Sequence, residues 1–212
     1  LVGSEMCIRD RILADCGSIP VINGLTNFAH PCQVLADLMT VREHFAQLEG
    51  LKMGFVGDGF NMCNSLIVGC LKVGMKVSVA TPEGYEPDAK VLAFAEEMKK
   101  QGASFELSHD IHQAADNADV LFTDAWIGMG QEAEAEKRRA AFAGFTVDHD
   151  LLSCCKEGVM VQHCLPAHRG EEITDEVLEE HADEIFEESE NRLHAQKAVM
   201  VMLMSEKSEF HI

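Results

Sequence analysis

Four short segments of this 212-residue chain carry side chains that could do chemistry. The most telling is Val159-Met160-Val161-Gln162-His163-Cys164-Leu165-Pro166. A strand-length apolar run ends in an imidazole and a thiol, and Pro166 removes a backbone donor and fixes the turn. In an open α/β sheet, ligands bind just past the carboxyl ends of the strands, so a thiol placed there meets substrate. Thr123-Asp124-Ala125-Trp126 ends a second such run. A carboxylate at a strand tip can hold a substrate ammonium, although a turn-capping Asp has the same sequence signature. His30-Pro31-Cys32-Gln33 stands near a helix start, where His30 could donate to a substrate oxygen or be an ordinary satisfied histidine. Gly57-Asp58-Gly59 follows a third run, and the helix it leads into, with Asn61, suits a small carboxylate. A nicotinamide cofactor is disfavoured. The dinucleotide fingerprint needs a third Gly and an acidic residue about 20 positions on, whereas Met62 takes that third position and the second strand runs into Thr81-Pro82. His163 and His168 have poor spacing for a metal and no partner carboxylate, so no metal is expected.

These segments need strands and helices to position them. Strand-like runs alternate with helical patterns, which predicts an α/β fold with a parallel sheet covered on both faces. Strands are expected at Met53–Val56, Lys76–Ala80, Ser104–Leu107, Val120–Thr123 and Val159–His163. Helices are expected at Asn61–Val73, Asp88–Gln101, Asp110–Ala115, Gln131–Phe142, near Asp150–Cys154 and from Thr174. Ile185-Phe186 and Val21-Ile22-Asn23 read as further short strands. Pro31–Leu48 and Asn191–Ser205 read as long helices, connectors to something outside the chain.

Composition narrows the function classes. A formal net charge of −19 argues against a nucleic-acid partner, because the phosphate backbone would be repelled. A small anionic substrate remains possible, since a local basic pocket can sit in an acidic protein. No apolar run reaches the roughly 18 residues of a membrane span, so no membrane partner is expected. The eight cysteines form no regular framework and no C-x-x-C pair, which points to reduced thiols in a cytoplasmic setting. The runs Glu132-Glu134-Glu136 and Glu179-Glu180 read as solvated helix faces. Residues 1–11 have no signal-peptide pattern and join poorly to the residues after them; they read as an artefact outside the fold.

Taken together, six segments in order resemble the transcarbamoylase family, and within it the ornithine carbamoyltransferases. They are His30-Pro31-Cys32-Gln33-Val34-Leu35-Ala36-Asp37, Gly57-Asp58-Gly59-Phe60-Asn61-Met62, Ala80-Thr81-Pro82-Glu83-Gly84-Tyr85, Thr123-Asp124-Ala125-Trp126, His163-Cys164-Leu165-Pro166 and Asn191-Arg192-Leu193-His194. The resemblance implies a doubly wound parallel sheet that binds ornithine (49–190). It also implies a remnant and connecting helix of a mostly missing carbamoyl-phosphate domain (12–48) and a C-terminal helix returning to it (191–212). It implies transfer of a carbamoyl group from carbamoyl phosphate to L-ornithine, without metal or organic cofactor, by a homotrimer when full length. His30, Gln33 and Arg192 would contact the carbamoyl group, with Cys164 and the Leu165 carbonyl lining the space where amine meets carbamoyl carbon. Asp124 would orient the δ-amine, and Asn61, Gly128 and the Met129 backbone would lie at the ornithine end.

Two departures stand out. The family has Ser-Met-Gly after the Trp segment, where this chain has Gly128-Met129-Gly130. That keeps a related amine such as putrescine open as acceptor. The family's phosphate-gripping Ser-x-Arg-Thr-Arg is also not found ahead of His30. The competing reading is therefore an α/β domain that binds an amino acid without catalysis. An aspartate acceptor is less favoured, because that branch carries His-Pro-Leu-Pro in place of His163-Cys164-Leu165-Pro166.

Overall fold

The computed structural model describes Ile12, residues 14–128 and residues 130–205. The supposed artefact at residues 1–11 and the implied Met129 contact lie outside them. The strands form where branched and aromatic residues cluster: β1 Lys52–Val56, β2 Lys76–Ala80, β3 Phe105–Ser108, β4 Val120–Thr123 and β5 Met160–His163. All pair in parallel in the order β3-β2-β1-β4-β5. Every residue of β4 and β5 is buried, as expected for strands covered on both faces.

Helices alternate with the strands. They are α1 Pro31–Phe45, α2 Asn61–Lys72, α3 Ala89–Lys100, α4 Ile111–Ala115, α5 Ala135–Phe142, α6 His149–Leu152, α7 Asp175–Glu180 and α8 Ala182–Met204. Acidic or hydroxyl side chains start several of them. Asp88, Asp110, Asp148 and Thr174 each accept a first-turn backbone N–H, which satisfies a donor the helix cannot pair itself. One face of the sheet packs Phe55, Val77, Val79 and Phe122 against α1, α2 and α3. The other packs Val56, Leu121 and Val161 against α4, α6, α7 and α8. This is the expected doubly wound arrangement.

Two expected strands are absent. Val21-Ile22-Asn23 is irregular coil, because the edges of the sheet are β3 and β5 and neither runs beside it. Ile185-Phe186 lies inside α8, which begins at Ala182 and not at Asn191. The inward positions of α8 are Ile185, Glu188, Asn191 and Ala195, at helical spacing. Two of the four are polar, so the apolar period that marks a helix was hidden. The expected helix at Gln131–Phe142 is a 3-10 turn over Glu132–Glu134 followed by α5, and α1 stops at Phe45 with Ala46 left-handed.

α1 and α8 pack on each other through polar contacts. Asn191 Nδ2 donates to Thr40 Oγ1 at 3.0 Å and to Glu43 Oε2 at 2.7 Å. No described helix is long and apolar enough to cross a membrane.

Candidate active site

The chain order reverses between β1 and β4. From β1 the sheet grows to β2 and β3, and the chain then crosses back to build β4 and β5 on the other side. A crevice opens at such a switch point, beyond the carboxyl ends of the strands. Register fixes what lines it: Val56 pairs with Thr123, and Thr123 with His163. The Thr123 hydroxyl donates to the Val56 carbonyl at 2.8 Å, closing the two tips together. Gly57, Asp124 and Cys164 therefore stand one step beyond the sheet, side by side.

Asp124 and Cys164 meet there. The Cys164 thiol donates to Asp124 Oδ1 at 3.1 Å, and the same oxygen accepts the Ala125 N–H at 2.8 Å. Burial pushes the Cys164 thiol well above its ordinary range, and the charges of Asp124 and Glu188 add to the effect. It is thus a neutral hydrogen-bond donor, not a thiolate nucleophile. Burial also raises Asp124, opposed by the neighbouring His163 and the thiol hydrogen bond. Leu165, half-buried, comes next with a left-handed backbone.

His163 supports this tip without facing it. Its Nδ1 accepts the Leu165 N–H at 2.9 Å, which leaves the proton on Nε2 to donate to Glu172 at 3.1 Å. Both side chains are fully buried. Glu172 also accepts the His168 N–H, so one carboxylate fixes the loop after β5 at two points.

A second group sits on α1 and α8. The His30 backbone N–H donates to Ser65 on α2 at 2.7 Å. Its ring is buried beside Arg192, and both effects push it down to about 4 against a pull from a Gly24 backbone bond. It is neutral at pH 7. Its Nδ1, the Gln33 Oε1 and the Arg192 Nε are buried without a hydrogen-bond partner among the described residues. The Gln33 Nε2 is fully used, donating to Asp37 Oδ1 and Glu188 Oε1 at 2.9 Å each. Glu188 in turn accepts the His163 N–H at 3.0 Å, joining this group to the strand tips.

The residues around Asn61 and Gly128 are held differently. Asn61 opens α2, but its Nδ2 donates back to the Thr26 carbonyl at 2.9 Å and its Oδ1 accepts the Met62 N–H. Gly59 is required beside it: a Cβ there would lie 2.4 Å from the Tyr85–Pro87 backbone. Gly128 is half-buried, and its N–H donates to Gln131 Oε1 at 2.9 Å. Arg138 ties the Asp58 loop to the segment after β4. It is 3% exposed, paired with Asp58, bonded through Nε to the Trp126 carbonyl at 2.8 Å, and set over the Tyr85 and Phe142 rings. Burial outweighs Arg138 at Asp58 and pushes that carboxyl up to about 6.

The structure thus gathers His30, Gln33 and Arg192 on one side and Asp124, Cys164 and Leu165 on the other, linked through Glu188. Sequence reasoning missed Asp37, Arg138, Glu172 and Glu188. Asp37 closes the His30–Asp37 segment, and Glu188 stands one helical turn before Arg192. Arg138 and Glu172 carried no local signal, since their partners are 80 and 9 residues away.

The aspartate/ornithine carbamoyltransferase Asp/Orn binding domain matches residues 49–203, and the carbamoyl-P binding domain matches residues 8–43. The ornithine carbamoyltransferase of Pyrococcus horikoshii is 53% identical over 193 residues, covering 91% of this chain and 61% of the relative. That of Carboxydothermus hydrogenoformans is 51% identical, with 62% of the relative covered. The Pyrococcus furiosus ornithine carbamoyltransferase structure superposes with a TM-score of 0.85 at 50% identity, covering 92% of this chain and 62% of that one. The Campylobacter jejuni anabolic ornithine carbamoyltransferase gives 0.86 at 38% identity, covering 90% and 63%. The chain therefore spans less than two thirds of the length of the relatives it matches. On the family model that matches most of its length, the chain belongs to the aspartate/ornithine carbamoyltransferase family.

Proposed function

We propose that this chain is the acceptor-binding part of an ornithine carbamoyltransferase, which moves the carbamoyl group of carbamoyl phosphate onto the δ-amine of L-ornithine to give L-citrulline and phosphate. The observation that carries the reading is the Cys164–Asp124 contact at the switch point, 3.1 Å long, in a chain of this family. An ammonium is not a nucleophile, so the δ-amine must lose a proton before it attacks. A half-buried carboxylate beside a neutral thiol suits binding the cation and orienting the free amine. The amine nitrogen then bonds to the carbamoyl carbon, the C–O bond to phosphate breaks, and phosphate leaves with the electron pair and takes up the proton that the attacking nitrogen sheds.

The unpartnered atoms of the second group fit the carbamoyl end. Gln33 offers only its carbonyl oxygen, an acceptor for the carbamoyl NH2. His30, neutral and with an unpartnered ring nitrogen, would face the carbamoyl group, and Arg192 would stabilise charge growing on its oxygen. Cys164 and the Leu165 carbonyl line the gap between the reactants. Asn61 would exchange its Thr26 bond for the amino-acid end of ornithine, with Gly128 and the Met129 backbone nearby. The remaining contribution is alignment of two substrates. No step calls for a metal or organic cofactor.

On this reading, residues 12–48 are a remnant and connecting helix of the carbamoyl-phosphate domain, 49–190 bind ornithine, and 191–212 return to that domain. The phosphate grip comes from sequence beyond this chain. The complete enzyme would work in the cytoplasm as a homotrimer. The test is citrulline formation by the complete enzyme, with this sequence joined to a full carbamoyl-phosphate domain, against ornithine, putrescine and aspartate. Ornithine should be preferred, and the 212-residue chain alone should make no measurable citrulline. Preference for putrescine would overturn the acceptor assignment, and robust turnover by the chain alone would overturn the division of labour.

A further inference from the structure

An amide side chain has a donor end and an acceptor end of nearly equal shape, so only its neighbours decide which way it faces. Gln33 is 1% exposed, and its neighbours decide strongly. Its Nε2 lies 2.9 Å from Asp37 Oδ1, one turn further along α1, and 2.9 Å from Glu188 Oε1 on α8. Its Oε1 is buried without a partner among the described residues. Both carboxyl groups are themselves buried, Asp37 at 0% and Glu188 at 1%. Neither makes a salt bridge among the described residues. The second oxygen of Glu188 accepts the N–H of His163, the last residue of β5 and the neighbour of Cys164.

Two carboxylates that share one amide in a buried site cannot both ionise cheaply. We propose that Asp37 and Glu188 act as a singly protonated carboxyl pair, positioning residues that turn the Gln33 carbonyl toward the carbamoyl NH2 and tie that setting to the β5 tip. The proposal rests on the carbamoyl-binding role proposed for Gln33. It assigns the pair no contact with substrate.

The groups facing the pair are Gln33 from α1, Arg192 from α8, Cys70 from α2, and the His163 backbone and Cys164 thiol from β5 and its end. Burial raises both acids, and the charge of Asp37 raises Glu188 further, while Arg192 pulls Asp37 down. The proton is therefore held at neutral pH and lost as pH rises. Two anions then flank Gln33 and repel one another, so the setting fails on the alkaline side.

The test uses the complete enzyme. Glu188→Gln keeps the shape and one of the two acceptor oxygens and carries no proton to lose. Whatever its level at pH 7, it should lose the alkaline fall in kcat/KM for carbamoyl phosphate that the parent shows. Asp37→Asn should change the same limb. Glu188→Leu removes a buried acceptor and should raise the KM for carbamoyl phosphate by about tenfold with the KM for ornithine little changed. Infrared difference spectra should show a protonated carboxyl band in the parent at pH 7 that is missing from Glu188→Gln. A parental pH profile in both conservative variants, or no such band in the parent, would overturn the proposal. Gln33→Ala separates the two readings. If it raises the KM for carbamoyl phosphate while the pair variants do not, only the pair fails; if it leaves that KM unchanged, the role of Gln33 itself fails.

Discussion

Arg138 is where a stability measurement bears most directly on the fold around the site. Replacing it by Ala strips the buried Asp58 carboxylate of its cation, frees the Trp126 carbonyl and opens space beside the Tyr85 and Phe142 rings. Removing one partner of a buried ion pair costs about 3–5 kcal/mol, because the other charge stays buried and unpaired. Arg138→Ala should therefore lower the unfolding free energy by about that amount in urea denaturation. Adding Asp58→Asn should return a substantial part of the loss, since the stranded charge is gone. The pH dependence has a definite sign. Asp58 is already raised to about 6 in the native state, and without Arg138 it rises further. A carboxyl raised on folding binds its proton more tightly in the native state, so the stability it contributes is present at low pH and lost as pH rises through the folded value. The deficit of Arg138→Ala should thus be smaller near pH 5 than near pH 8. A pH-independent deficit, or strict additivity of the two substitutions, would refute the reasoning.

Two further outcomes concern the strand tips in the complete enzyme. Cys164→Ala removes a neutral donor to Asp124, so turnover should fall by about tenfold, far short of the roughly 10⁶-fold loss seen when a covalent nucleophile is removed; single-turnover mass spectrometry should find no adduct on the parent thiol. Gly128→Ser restores the family hydroxyl at a site where a Cβ would come 3.2 Å from the movable end of Gln131. It should fold normally and lower the KM for ornithine, and an unchanged or raised KM would remove Gly128 from the acceptor site.

The sheet was legible because its strands are buried on both faces and so spell themselves out as apolar runs, Val120–Thr123 and Lys76–Ala80 to the residue. The strand tips were legible for the same reason: once β4 and β5 are placed, Asp124 and Cys164 must come next. α8 was not, since it buries Glu188 and Asn191 where a helix period calls for apolar residues. Those two are polar because they meet α1, and contacts spanning 155 and 151 residues leave no local trace. Val21-Ile22-Asn23 shows the opposite error, a β-branched run with no neighbouring edge to join. Arg138 escaped notice because a charge on a charged, Ala-rich helix reads as solvated, while the fold buries it over two aromatic rings.

The central claim is that the acceptor amine meets the carbamoyl group at Asp124. Asp124→Asn keeps the oxygen that accepts from Cys164 and Ala125, so the local structure should survive and only the charge is lost. The deciding measurement is the initial rate of citrulline formation by that variant of the complete enzyme. A fall of about 10²–10⁴-fold is expected, with carbamoyl phosphate binding intact. A parental rate would contradict the claim.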